Sequence, residues 1–313
     1  MIDFFDLIYA RIKEKNQLLK RMRYYSLLRF IVRYTANKVL PLYFLATKDK
    51  QRYSLSPVSG KSGRTIVSLT SFPTRIKKVW LVVETILRQT TKPDQIVLWL
   101  SKDQFPSLDK LPLRLLKQQK RGLKIVLKDG DLRSHKKYFY TLHEFANDKM
   151  ITLDDDIFYP TKMIEELFKW HKVYPDAVIA RYGTKILMMD NTISRYRLWD
   201  EKFNNDSPSF EFFFGSGGGT LFPPKVLANE TINKDVFMKL CPTADDVWLN
   251  TMCRINSKQV FLTRNELCSI LPITRKKDVS LAAVNYQGNQ NDIQLKKVRE
   301  YYLLNKGVDP YCQ

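Results

Sequence analysis

Between Arg64 and Leu153 the chain alternates short β-rich apolar runs with segments of helical periodicity, and this alternation restricts the fold more than any other feature. Arg64 to Thr70 (RTIVSLT) reads as a strand ended by Ser71-Phe72-Pro73. Ile76 to Arg88 then carries Val79, Val82, Val83, Ile86 and Leu87 at helical spacing. Gln95 to Leu100 (QIVLWL) is the next strand, Leu108 to Gln119 a helix after a proline-containing turn, and Leu123 to Leu127 a third strand. Ser134 to Asn147 reads as a helix capped by Ser134, leading into Met150 to Leu153 as a fourth strand. Strands separated by helices predict an α/β fold with a mostly parallel sheet covered on both faces. Beyond Pro160 the pattern predicts a helix to about Val173, a strand at Ala177 to Arg181 and a strand at Glu211 to Phe214 running into Gly215–Gly219. A helix at Ala244 to Arg254 and a strand at Gln259 to Thr263 complete it.

At 313 residues the chain can bury one large core plus an appendage, and 44% hydrophobic residues with 11 Gly and 14 Pro argue against disorder or low complexity. The net charge of +20 favours an anionic partner, whether nucleic acid, an acidic membrane surface or a phosphorylated substrate. Cys241, Cys253, Cys268 and Cys312 form no CxxC pair, which suits a reduced, cytoplasmic setting. We expect neither a secretory signal nor a membrane span, since apolar runs such as Leu42 to Ala46 fall far short of the roughly 20 residues a spanning helix needs.

Residues 1–60 stand apart as a basic amphipathic extension and linker, with 12 Lys/Arg against 4 Asp/Glu, ahead of an expected catalytic domain over 61–313 with a C-terminal helical tail. From Leu18 to Tyr34 the spacing predicts a helix on which Arg21, Arg29 and Arg33 flank apolar and aromatic residues. An interfacial membrane helix has this pattern, and so does a helix packed on the domain with a solvated basic face. Pro41 and the Ser, Pro and Gly of 54–63 predict the linker.

Asp154-Asp155-Asp156 follows an apolar strand at the point where that strand leaves the sheet. Ligands of open α/β sheets bind beyond the carboxyl ends of the strands, and three adjacent carboxylates repel unless something offsets them. A hard divalent cation does so with oxygen ligands; the plain alternative is a solvated acidic turn. Thr70-Ser71-Phe72-Pro73-Thr74-Arg75, Ser134-His135-Lys136-Lys137, Gly215-Ser216-Gly217-Gly218-Gly219 and Ala244-Asp245-Asp246 are the other stretches in which polar or glycine residues gather at element ends. Each also has a structural reading: a strand-ending turn, a solvated helix start, a flexible connection, and Asp residues favourable at a helix N-terminus.

A DxD at a strand end, about 85 residues after a first βα unit, resembles the metal site of GT-A-type nucleotide-sugar glycosyltransferases. The likeness covers roughly Arg64 to Arg275, with local similarity to glycosyltransferase family 2 and to exostosin-like transferases. It implies a Rossmann-like GT-A core, a UDP-sugar donor and Mn2+ or Mg2+ bridging the donor diphosphate. Asp154 and Asp156 become the DxD pair, with Asp156 first for direct metal ligation and Asp154 or Asp155 on the donor ribose and sugar. Thr70 and Arg75 are expected at the uracil and ribose, Lys136 and Lys137 at the diphosphate, and the backbone of Gly217 and Gly218 against the sugars. Asp246 is expected as general base if the enzyme inverts, Asp245 as its partner, and Arg275 as an arginine assisting the diphosphate.

The resemblance implies transfer to a glycan or lipid-linked oligosaccharide in bacterial surface polysaccharide assembly, such as capsule or lipopolysaccharide. The expected location is cytoplasmic, peripheral on the inner face of the plasma membrane. A basic nucleic-acid-binding protein, a metal-dependent nuclease and a non-catalytic membrane-bound scaffold are the competing classes. The basic residues are spread along the chain and no named nucleic-acid module is present, so we expect no nucleic-acid partner.

Overall fold

The computed structural model describes residues 1–13, 16–47, 63–189, 192–200, 203–264, 270–274 and 289–312. Its strands are β1 (Thr65–Thr70), β2 (Gln95–Ser101), β3 (Leu123–Lys128), β4 (Lys149–Leu153), β5 (Val178–Ala180), β6 (Gly183–Lys185), β7 (Met188–Met189), β8 (Thr192–Ile193), β9 (Phe212–Phe214), β10 (Gly218–Phe222) and β11 (Val260–Leu262). The helices are α1 (Ile2–Arg11), α2 (Gln17–Arg21), α3 (Tyr24–Thr47), α4 (Val79–Leu87), α5 (Leu113–Leu116), α6 (Lys136–Glu144), α7 (Met163–Val173), α8 (Lys234–Leu240), α9 (Asp245–Ile255) and α10 (Gln290–Lys306).

Seven strands form one sheet in the order β11-β5-β10-β4-β1-β2-β3. All neighbours are parallel except β10, which runs antiparallel to both β4 and β5. The α/β class and mostly parallel sheet read from the sequence are therefore observed. Strand β1 is buried along almost its whole length because helices cover both faces of the sheet. On one face, Val67, Leu69, Leu98, Ile151 and Leu153 pack with α1, α3, α4 and α7; on the other, Met150, Val178 and Phe222 pack with α6, α8, α9 and α10.

The chain runs outward through β1, β2 and β3, then returns to lay β4 on the other side of β1. This reversal places the carboxyl ends of β1 and β4 side by side, with Leu69 opposite Leu153, and opens a crevice above them. The turn after β1 and the three aspartates after β4 consequently meet at the edge of the sheet.

Several local expectations need correction. The glycine-rich stretch Gly215–Gly219, read as a loop following a strand, is partly strand: Gly218–Phe222 is the interior antiparallel strand β10, wholly buried. Gly219 has φ +100° at an irregularity in the β10–β4 register, a conformation side chains with a Cβ rarely adopt. Ser134 does not cap α6. A 3-10 turn, Arg133–His135, precedes that helix, and Ser134 Oγ is buried without a hydrogen-bond partner among the described residues. The helix expected over Leu108 to Gln119 is broken into two 3-10 turns flanking the four-residue α5.

Pro41 does not open a linker but lies inside α3, which runs on to Thr47; residues 54–62 of the expected linker lie outside the described residues. A proline inside a helix costs about 3 kcal/mol. Here Ala36, Leu40 and Phe44 are buried on both sides of it in the core they share with α4 and α7, and that burial outweighs the lost bond. Helix α1 buries Ile2, Phe5 and Tyr9, and its Asp3 carboxylate accepts from Thr161 N at 2.6 Å and Thr161 Oγ1 at 2.7 Å.

Of the two readings of the N-terminal segment, packing on the domain therefore describes the inner face of α3. Phe44→Ala should lower stability by about 3–5 kcal/mol, whereas Phe30→Ala, on the exposed face, should change it by under about 0.5 kcal/mol, as denaturant unfolding would measure. Equal effects would contradict this packing.

Candidate active site

The turn after β1 is held from both sides. Thr70 Oγ1 donates to the carbonyl of Trp99 on β2 at 2.8 Å, Ser71 Oγ donates to Asp155 Oδ2 at 2.6 Å, and Arg75 donates to Asp155 Oδ1 at 2.7 Å. The same guanidinium lies 3.5 Å from Asp156 Oδ2 and 4.7 Å from the Phe72 ring centroid. Asp155 is thereby turned inward and buried. Asp154 differs: its side chain is 46% exposed, while its backbone N–H donates to Tyr159 Oη at 2.8 Å and to the Gly217 carbonyl at 3.0 Å. Buried Tyr159 thus fixes the loop from beneath.

Helix α6 delivers Lys137 into the same crevice from its first turn. The side chain is almost fully buried, with Nζ 3.0 Å from Asp154 Oδ1 and 2.9 Å from Asp245 Oδ2. Asp245 and Asp246 open α9, yet neither caps it through its side chain. They turn instead to Ser216, whose Oγ donates to Asp245 Oδ2 at 2.7 Å and whose backbone N–H donates to Asp246 Oδ1 at 2.7 Å. Asn250, one turn along α9, bonds both backbone groups of Phe214 and so ties the helix to β9.

The charges of this cluster are strongly shifted. Burial and the neighbouring Asp245 carboxylate push Asp246 up to about 7. Burial would also raise Asp245, but the Lys137 ammonium, with the Ser216 hydroxyl assisting, brings it down to about 2. Burial alone would lower Lys137, yet Asp154, Asp245 and Asp246 raise it and keep it charged. His135 is buried between the Tyr138 hydroxyl and the Cys241 carbonyl; burial lowers it to about 4, so it stays neutral. Two adjacent carboxylates of opposed acidity, one ionised and one titrating near neutrality, are suited to moving a proton.

Two cavities open on this cluster and share Arg75, Ser134, Lys137 and Asp154. The larger, about 360 Å³, reaches Asp156, Asp245, Asp246, Gly217, Gly218 and the aromatic side chains of Tyr182, Tyr196 and Trp199. The smaller, about 250 Å³, is lined by Thr70, Phe72, Gln104, Asp131, Arg133 and Lys136. Ser134 Oγ, buried without a hydrogen-bond partner among the described residues, sits in the shared wall, where a polar ligand would satisfy it.

Among the described residues no group of three or more His, Cys, Asp or Glu side chains could hold a metal unaided. Two carboxylates, Asp154 and Asp156, do face the larger cavity, and a hard cation that keeps water or phosphate oxygens needs no more protein ligands. The donor set fits in that form. The mutual repulsion of the three aspartates, which the sequence suggested a cation relieves, is offset in the protein alone by Arg75 and Lys137.

The structure gathers Thr70, Arg75, Lys136, Lys137, Asp154, Asp155, Asp156, Gly217, Gly218, Asp245 and Asp246 around these cavities, while Arg275 lies outside the described residues. Most of these side chains already have partners within the protein: Thr70 bonds the Trp99 carbonyl, Asp155 is held by Ser71 and Arg75, Lys136 by Asp131, Lys137 by Asp154 and Asp245, and Asp245 and Asp246 by Ser216. The residue reading passed over Tyr159 and, although Ser71 and Ser216 lie in stretches it singled out, gave neither a role. Only Ser216 carried a signal, being the polar residue within a run of glycines next to an acidic pair.

No family model matches the chain, and no curated protein matches it in sequence. Among solved structures it is similar to a mannosyltransferase from Pyrobaculum calidifontis in complex with GDP-Man and Mn2+, at 12% identity and a TM-score of 0.49, over 90% of this chain and 78% of that one. It is also similar to a 4-diphosphocytidyl-2C-methyl-D-erythritol synthase from Anaerococcus prevotii, at 14% identity and a TM-score of 0.42, over 76% of this chain and 100% of that one. At this degree of likeness, chemistry has to be argued from the site.

Asp246 has a measurable stability signature. The folded protein holds its proton until about pH 7, the unfolded chain only to about 3.8, so this group's contribution is present in acid and lost as pH rises through 7. Asp246→Asn should therefore raise stability at pH 8 by about 2 kcal/mol or more relative to its effect at pH 5. Melting curves at the two pH values check this; equal effects would show that Asp246 is ionised throughout.

Proposed function

We propose that this chain is a metal-dependent glycosyltransferase of GT-A type, a hexosyl- or N-acetylhexosaminyltransferase. It moves a sugar from a UDP-sugar to a glycan or lipid-linked oligosaccharide in bacterial surface polysaccharide assembly. The observation that carries the reading is one buried ammonium, Lys137, 3.0 Å from the first aspartate of the triplet and 2.9 Å from the first of the acidic pair. It joins the element that would hold a diphosphate to the element that would take up a proton, where two cavities meet.

In this reading the smaller cavity takes the nucleoside, with Thr70 and the Phe72 and Arg75 stack at its wall, and the diphosphate lies towards Lys136, Lys137 and Ser134. Asp154 and Asp156 are the residues that would hold Mn2+ or Mg2+. When bound, such a cation would neutralise charge on the departing diphosphate. Asp155 is a positioning residue, because it ties Arg75 and Ser71 to the loop. The sugar lies over Gly217 and Gly218, and the acceptor enters the larger cavity past Tyr182 and Tyr196.

Asp246 accepts the proton of the acceptor hydroxyl as its oxygen bonds the anomeric carbon, and the bond from that carbon to the phosphate oxygen breaks, its electron pair leaving with the nucleoside diphosphate. Asp245, ionised beside Lys137, fixes Asp246 through their common partner Ser216. This order of events inverts the anomeric centre. In a retaining enzyme the same carboxylate would face an oxocarbenium-like carbon. Arg275 is the proposed assistant to the diphosphate.

UDP with Mn2+ should raise the melting temperature of the full chain and UDP alone should raise it less, because a ligand bound only by the folded state stabilises it. Asp156→Ala should remove the metal-dependent part and abolish transfer. Stabilisation by single-stranded DNA and none by UDP would replace this reading with nucleic-acid binding.

Gly217 supplies a second test. A Cβ built there would lie 1.9 Å from Asp154 Oδ2, so Gly217→Ala must push that carboxylate aside. A displacement of about 1 Å costs on the order of 100-fold in turnover. Gly217→Ala with wild-type turnover in a UDP-sugar transfer assay would remove Asp154 from the mechanism.

A further inference from the structure

Helix α3 carries two apolar faces where a surface helix has one. Ala36, Leu40 and Phe44 face the core, while Leu27, Phe30, Ile31, Tyr34, Leu42 and Leu45 are all exposed, Leu42 to 68%. At about 100° per residue these six fall within an arc of roughly 120° opposite the buried stripe, and from Leu27 to Leu45 they run about 27 Å along the helix. An exposed apolar stripe of that length marks an interaction surface.

The charges around it are one-sided. Residues 16–47 contain Lys20, Arg21, Arg23, Arg29, Arg33 and Lys38 and not one Asp or Glu. Two of these cations lie against aromatic rings of the exposed face, Arg33 at 5.8 Å from the Phe30 centroid and Lys38 at 5.6 Å from that of Tyr34. Apolar and aromatic side chains bordered by cations, without acidic residues, form the pattern of a helix lying in the plane of an anionic lipid surface. Among the described residues no helix is long and apolar enough to cross a membrane. A second copy of the chain is disfavoured as the occupant because it would press two such basic faces together.

We propose that the outward face of α3 docks this protein on an anionic lipid bilayer, with the helix axis along the surface. The inner side of the same helix is tied to the candidate active site. Asn37 donates through Nδ2 to the Pro272 carbonyl at 3.0 Å and accepts from Thr274 N at 2.7 Å. Residues 271–273 in turn bond the aspartate loop, with Ile273 N donating to the Asp156 carbonyl at 2.7 Å and Phe158 N to the Leu271 carbonyl at 3.0 Å. Docking through α3 therefore acts on a helix tied through residues 271–274 to the aspartate loop. The lipid surface follows from α3 alone; that an acceptor carried in the bilayer reaches Asp246 rests on the transferase reading.

The test is co-sedimentation of the full chain with vesicles of phosphatidylcholine, with and without about one third phosphatidylglycerol. Binding is expected to the anionic vesicles only and to fall as salt rises. Ile31→Glu with Leu42→Glu, both exposed positions, should weaken it about tenfold or more with an unchanged melting temperature. Lys20→Gln, Arg21→Gln and Arg23→Gln together, which spare α3, should also weaken it. No binding to anionic vesicles, or undiminished binding by both variants, overturns the proposal. So does a dimer in sedimentation velocity that Ile31→Glu with Leu42→Glu dissociates while vesicle binding persists. Vesicle binding uses no nucleotide, so its failure and failure of the UDP test are read separately.

Discussion

One buried ammonium organises the upper edge of this molecule. Lys137 lies between Asp154, just after β4, and Asp245, the first residue of α9, nearly a hundred residues apart in the chain. Lys137 and Asp245 are both buried, so removing either would leave an uncompensated buried charge, which is strongly destabilising; Asp154 is half-exposed and contributes less. The three together hold α6, the loop after β4 and the start of α9 in one arrangement. Asp246 sits next to this ionised group in a desolvated position, which is why its carboxyl titrates near neutrality while Asp245 does not.

That cluster lies where the chain order of the sheet reverses. Because β4 returns beside β1, the turn carrying Ser71 and Arg75 meets the aspartate loop directly, and Asp155 becomes the internal pin between them. The antiparallel β10 completes the geometry: its entry brings the Gly217 carbonyl to Asp154 N and the Ser216 amide and hydroxyl to the acidic pair. Any Cβ at Gly217 would displace the Asp154 carboxylate, which occupies its place. The glycine run thus combines two jobs, a central strand and a close approach to a carboxylate, which explains its composition better than flexibility does.

The N-terminal helices extend this logic outward. Asp3 on α1 holds Thr161 just beyond the aspartate loop, and Asn37 on α3 holds residues 272–274 beside it. A helix with a core on one side and exposed aromatic and aliphatic residues among cations on the other connects the candidate active site with the surface on which we propose the protein docks.

Much of this was legible in the sequence. The βα alternation from Arg64 to Leu153 determined an α/β fold with a mostly parallel sheet, because a 2.0-residue or 3.6-residue apolar period is a local property that needs no partner to be read. Polar residues gathered at strand and helix ends also marked the neighbourhood of the site, since such positions border a crevice in any sheet of this kind. Only the tertiary structure decided that β10 is a strand, that Pro41 lies within a helix and that Arg75 and Lys137, in place of a cation alone, offset the aspartates. Each of these depends on what is packed opposite. Burial outweighs the local penalties of glycine and proline, and the charge a carboxylate carries is set by groups distant in sequence that folding brings within 3 Å.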